Sequence, residues 1–146
     1  MEIVLSMNNR ERVATIPIPP LDLEVSISQD NTDFDGLENK VRLIGNSDLT
    51  KIKFSSFFPN QKIKSSHKNA FKNGWDYVDF IEEARKRKIP IRIVIIFRKK
   101  KINMAATIDD FNYSIDKAGD IKYSISLTEY IILTPLKKRI GFWGGL

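Results

Sequence analysis

One histidine, His67, is the only imidazole in the sequence, and there is no cysteine. Ser65 and Ser66 precede it directly, so a serine–histidine pair can be drawn on paper. Adjacent residues do not make a catalytic triad, however, and the Gly-x-Ser-x-Gly turn that presents a nucleophile is missing. A lone histidine without thiols also cannot supply the four nitrogen or sulfur ligands of a structural zinc site. Two acidic pairs could in principle do acid–base work, Glu82-Glu83 and Asp109-Asp110. The first falls on a predicted helix, where neighbours do not face each other, and the second on a predicted strand, where they point to opposite faces. The glycine-rich run Gly141-Phe142-Trp143-Gly144-Gly145 lacks the Gly-Lys-Ser/Thr end of a phosphate loop. The sequence therefore offers no catalytic residues, no metal site and no cofactor site.

What remains is surface chemistry. The net charge of +6 is unevenly spread: residues 1–50 hold nine acids against four bases, and residues 51–101 hold fifteen bases against four acids. Clustered Lys and Arg could neutralise phosphates, so one reading is a nucleic-acid-binding module using Lys62, Lys64, Lys68, Lys72 and the run Lys99, Lys100 and Lys101. Another is a solvated surface, and a third is that the acidic part of one copy meets the basic part of another. Phe142 and Trp143 stand in a segment unsuited to a core, and aromatics are enriched at interfaces. The loop 59–74 and the segment 134–146 are expected to be interaction segments. No basic, apolar leader is visible at the start, and the apolar run 91–97 is too short to span a bilayer. The absence of cysteine suits synthesis in a reducing cytoplasm.

The elements that must position these residues read as strands with one helix. Residues 3–5, 13–16, 23–27 and 41–44 are β-branched or alternating, with Pro17, Pro19 and Pro20 breaking the second from the third. In 51–54, Ile52 and Phe54 share a predicted buried face. Residues 75–88 form the only convincing helix: Tyr77, Phe80, Ile81 and Ala84 recur at helical spacing. Asp76 and Asp79 lie near its start, four bases crowd its end, and Pro90 follows. The run 91–97 is apolar on both faces and reads as a central strand, followed by a hairpin connection at Lys99, Lys100 and Lys101 into 102–113. In 121–128, Ile121, Tyr123, Ile125 and Leu127 alternate with polar partners, as a half-buried antiparallel strand requires. One β-rich domain over 1–133 follows, with 134–146 as a C-terminal segment.

Three ordered stretches carry a family resemblance. Phe54-Ser55-Ser56-Phe57-Phe58-Pro59 closes a strand; Trp75-Asp76-Tyr77-Val78-Asp79-Phe80-Ile81 runs on towards Pro90; and Thr107-Ile108-Asp109-Asp110-Phe111 precedes Gly119-Asp120-Ile121-Lys122-Tyr123. Over about residues 20–131 the chain resembles the N-terminal domain of the LysM-bearing, XkdP-type baseplate proteins of contractile phages, defective prophages and R-type bacteriocins. The resemblance implies an antiparallel β-sandwich or barrel with one flanking helix, similar to tail-tube modules. It also implies a structural role at the baseplate, among hub, tube and wedge proteins, in three or six copies around the tail axis. The particle would be assembled in the bacterial cytoplasm. No LysM domain is expected within these 146 residues, so peptidoglycan binding is not carried over, and a cell-wall-binding accessory protein stands only as an alternative.

Overall fold

The computed structural model describes residues 1–63 and 70–133. Nine strands and one helix follow in the order β1 (Glu2–Met7), β2 (Arg12–Thr15), β3 (Leu23–Ser26), β4 (Thr32–Asp35), β5 (Lys40–Leu43), β6 (Lys51–Phe58), α1 (Gly74–Arg87), β7 (Ile91–Phe97), β8 (Lys100–Ile115) and β9 (Ile121–Glu129). Seven strands form one sheet in the order β2-β1-β7-β8-β9-β6-β3, antiparallel throughout. Strands β4 and β5 pair only with each other. The expectation of a β-rich α+β fold with one flanking helix holds: the sandwich or barrel takes the form of a single curled sheet closed by α1.

Period-two burial builds the core. Ile3, Leu5 and Met7 of β1, Ile91, Ile93 and Ile95 of β7, and Ile121, Tyr123, Ile125 and Leu127 of β9 all turn inward. Ile52, Phe54 and Phe58 do the same from β6, so strands far apart in the sheet share one core. Against them α1 sets Tyr77, Val78, Phe80, Ile81 and Ala84. Each fully buried aliphatic or aromatic side chain contributes about 1.5–3 kcal/mol over its exposed state. Phe58 stacks between Tyr77 and Tyr123, with ring centroids 5.0 and 4.2 Å away.

The helix begins one residue earlier than its apolar pattern suggests. The Asn73 side chain accepts the Trp75 N–H at 3.0 Å, and the main chain turns left-handed at Lys88. Gly74 starts the helix because a Cβ there would stand 2.7 Å from that of Phe58. Glu83 is no idle surface acid: it pairs with Arg12 on β2 and lies 4.0 Å from Arg87, tying the helix to the sheet. Glu82 bonds Arg85 at 2.7 Å. The other pair departs from simple alternation, because β8 shifts register between Ile108 and Asp110. Ala106 and Ile108 turn to the core before this bulge and Phe111 after it, so the extra residue changes the phase. Asp109 accepts hydrogen bonds from Thr107 (3.3 Å) and Thr128.

Sequence reading missed β4. Its two aspartates are poor strand formers, and nothing in Thr32–Asp35 packs on the core. Among the described residues no helix is long and apolar enough to cross a membrane.

Candidate interaction site

Among the described residues the lysines singled out by the sequence do not converge. Lys62 and Lys72 flank the foot of the 59–74 loop, where the Ile63 N–H bonds the Lys72 carbonyl at 2.8 Å. This is the Phe58 end of β6, close to the β8–β9 turn, since Asn60 bonds Asp120 and Ala118 at 2.7 and 2.8 Å. Lys99, Lys100 and Lys101 stand at the opposite end of β8, on the order of 40–50 Å away along the strand. Lys64 and Lys68 lie outside the described residues, as do Ser65, Ser66 and His67 and both aromatics of the C-terminal segment, Phe142 and Trp143. The described lysines thus make two separate clusters rather than one track for a nucleic-acid backbone.

The β7–β8 hairpin turns more tightly than the lysine run suggested. Phe97 pairs with Lys100, leaving Arg98 and Lys99 as a two-residue loop. Arg98 takes a left-handed φ of 54°, where glycine or asparagine is usual, and its guanidinium stands 5.3 Å from the Phe97 ring centroid. Arg98 and the three lysines put four consecutive bases on this tip, beside exposed Ile96 and Phe97.

A second surface comes from the acidic third of the chain. Between β3 and β6, residues 27–50 leave the sheet as an arm. Its root is braced by an isolated bridge between Gln29 and Ser47, by Asp30 N–H to Asn46 O (2.9 Å), and by Gly45 N–H to the Asn31 carboxamide (2.9 Å). Gly45 is required: a Cβ there would fall 1.6 Å from the Asp30 carbonyl oxygen. Beyond the root every residue of β4 and β5 is exposed. The pairings Phe34↔Val41 and Thr32↔Leu43 put three apolar side chains on one face. Asp33↔Arg42, an ion pair of 2.9 Å, and Asp35↔Lys40 occupy the other. Phe34 is 46% exposed and Leu43 53%.

An open groove of about 730 Å³ runs beside β3 and β6, lined by Ile18, Leu21, Glu24, Lys53, Phe57 and Tyr123. It holds no nucleophile–base pair: the Ser56 hydroxyl donates to the Ile18 carbonyl at 2.8 Å, and no histidine is among the described residues. The Tyr123 hydroxyl is buried without a hydrogen-bond partner among them. Burial pushes its pKa well above the ordinary tyrosine value. The nearby Ser56 hydroxyl lowers it by less, since its own proton goes to Ile18 and the pair falls outside hydrogen-bond geometry. That phenol stays protonated and is a poor base. Nor do any three His, Cys, Asp or Glu among the described residues cluster in a way that could hold a metal ion.

No protein-family model matches the chain, and no curated protein is significantly similar to it. The fold does match a solved structure. A chain in the virion of the native gene transfer agent (GTA) particle superposes with a TM-score of 0.59 at 12% identity. The match covers 90% of this chain and 93% of that one, so the two share a fold across nearly their whole length.

Proposed function

We propose that this chain is a non-enzymatic structural subunit of a phage tail or tail-like particle. The observation that carries the reading is the fold shared with a virion chain over 90% of the sequence. Its surface suits such work. Four of the eight strand residues of an exposed arm are charged, the others are Thr32, Phe34, Val41 and Leu43, and a basic hairpin stands on the main sheet. Specificity of this kind lies in complementary surfaces rather than in reacting groups.

Within that role we assign the chain to the baseplate of a contractile particle, between the central hub or tube and the surrounding wedges, in three or six copies around the axis. This finer placement rests on the motif resemblance in residues 20–131. Assembly would take place in the bacterial cytoplasm, and the subunit would reside in the finished particle. The separation of the described lysines into two clusters speaks against the nucleic-acid-binding alternative.

Labelling the chain and purifying intact particles tests the reading. The chain should co-sediment with sheath and tube proteins at a fixed copy number and appear at the baseplate end in electron micrographs. A particle carrying His67→Ala should keep full infectivity or killing. Particles that are complete without the chain, or activity lost on that substitution at normal protein level, would overturn it.

A further inference from the structure

We infer that the arm of one copy, residues 27–50, docks onto the basic β7–β8 hairpin of a neighbouring copy, β4 lying along the edge of β8. The inference rests on the structural reading above, in which several copies share one particle.

The arm needs a partner. A two-stranded hairpin alone in water is marginal at best, and this one is exposed at every residue of both strands while carrying a distinct apolar face. It also carries five acids against two bases. A sheet edge lined by bases and partly apolar would cover both of its faces.

The β7–β8 hairpin offers that edge. Strand β8 pairs with β9 only from Ala106 onward, the Tyr130 N–H reaching back to the Ala105 carbonyl at 2.8 Å. Among the described residues no strand covers the same side of β8 over residues 100–104. Alternate side chains there differ in kind, as they do on β4. Adding β4 edge to edge brings the face holding Asp33 and Asp35 alongside Lys101, and the face holding Phe34 alongside Ile102. One placement satisfies charge and apolar burial together.

The topology puts donor and acceptor at one height, the open edge of β8 two strands from β6, and within one chain β4 and β5 pair only with each other. Lys51, the first residue of β6, is level with Thr128 of β9 and Thr107 of β8. From that level β8 continues to Lys100, a further seven residues or about 23 Å. The arm leaves the sheet at the same end, and its legs of twelve residues reach about 35–40 Å. It departs beside β3 and β6, while β7 lies across the sheet beyond β9 and β8. A head-to-tail contact of this kind repeats from copy to copy and gives a ring where its rotation closes.

The absence of cysteine makes the test direct. The full chain carrying Asp35→Cys and Lys101→Cys, purified and oxidised at high concentration, should give a ladder of multimers that reductant collapses. A control pair with the second cysteine at Lys117, at the far end of β8, should give none. Asp33→Lys with Asp35→Lys, or Lys100→Glu with Lys101→Glu, should each weaken self-association by about tenfold or more, and the four changes together should restore it to within about threefold. Lys100 and Lys101 are exposed and outside the core, so circular dichroism should stay unchanged on their reversal. The arm reversals also set like charges against Arg42 and Lys40 within the hairpin, and are read through the rescue by all four changes together.

A disulfide formed within one chain, crosslinking of Asp35→Cys to Trp143→Cys in preference to Lys101→Cys, or charge reversals without effect would overturn the docking. Loss of the ladder while the chain still enters particles sinks this interface and leaves the structural role standing. A specific ladder from a chain absent from purified particles supports the interface and removes the structural role.

Discussion

Two buried tyrosines stack on the same phenylalanine, yet removing their hydroxyls should have opposite consequences. The Tyr77 hydroxyl donates to the Thr15 carbonyl at 2.6 Å and accepts the Phe71 N–H at 3.0 Å, joining the helix, β2 and the 59–74 loop. Tyr77→Phe keeps the ring but leaves a carbonyl and an amide without their partner. Each hydrogen bond contributes about 0.5–1.5 kcal/mol net, and a stranded buried group adds its own desolvation penalty, so a loss of about 2–3 kcal/mol is expected. At Tyr123 the hydroxyl is buried with no partner among the described residues, so Tyr123→Phe removes a group already unsatisfied. Its stability should stay within about 1 kcal/mol of the parent, on the stabilised side. Urea titration followed by circular dichroism reads both. With a slope of about 2 kcal/mol/M, Tyr77→Phe should lower the midpoint by about 1–1.5 M at unchanged slope, and Tyr123→Phe should leave it level or higher. Equal losses in the two variants would show that ring packing, rather than hydroxyl satisfaction, sets the energetics of this stack.

Alkaline pH should expose the same pair. Both phenols have pKa values raised above 10.0, mainly by burial; at Tyr77 the Phe71 N–H opposes the shift and Asp76 adds to it. A raised folded value means that their contribution is complete below pH 10 and falls as pH rises above it, because the unfolded chain then releases protons the folded one retains. Stability measured between pH 9 and 11 should drop less steeply in the Tyr77→Phe/Tyr123→Phe double variant than in the parent; identical slopes would refute this. Arg98→Gly removes a side chain from a left-handed turn position and should raise stability by about 1 kcal/mol in thermal melts, a result that a fall in melting temperature would contradict. Asn73→Ala removes the helix cap and should cost about 1 kcal/mol, with Asn73→Ser recovering most of it.

Local pattern made most of the framework legible. The helical spacing of Tyr77, Phe80, Ile81 and Ala84 and the alternation from Ile121 to Leu127 each need only a few neighbouring residues to declare a buried face, and both elements lie where that spacing puts them. The central position of β7 was readable too, because Ile91, Ile93 and Ile95 are apolar inward while Val94 adds apolar character on the other face. The candidate site was legible only in part. Sequence marked Lys99, Lys100 and Lys101 as a basic connection, but which residues made the turn depended on the Phe97↔Lys100 register, fixed by packing across the sheet. The acidic excess of residues 1–50 was visible as charge, whereas its gathering into an amphipathic arm was not. Thr32–Asp35 owes its strand to pairing with Lys40–Leu43, and no burial within the chain stamps a pattern on it. Tertiary structure likewise separated Lys62 and Lys72 from the hairpin lysines and put the arm and the basic hairpin at one end of the sheet. Strand order and register set those distances, and both arise from contacts between residues remote in sequence, which periodicity within a segment does not encode.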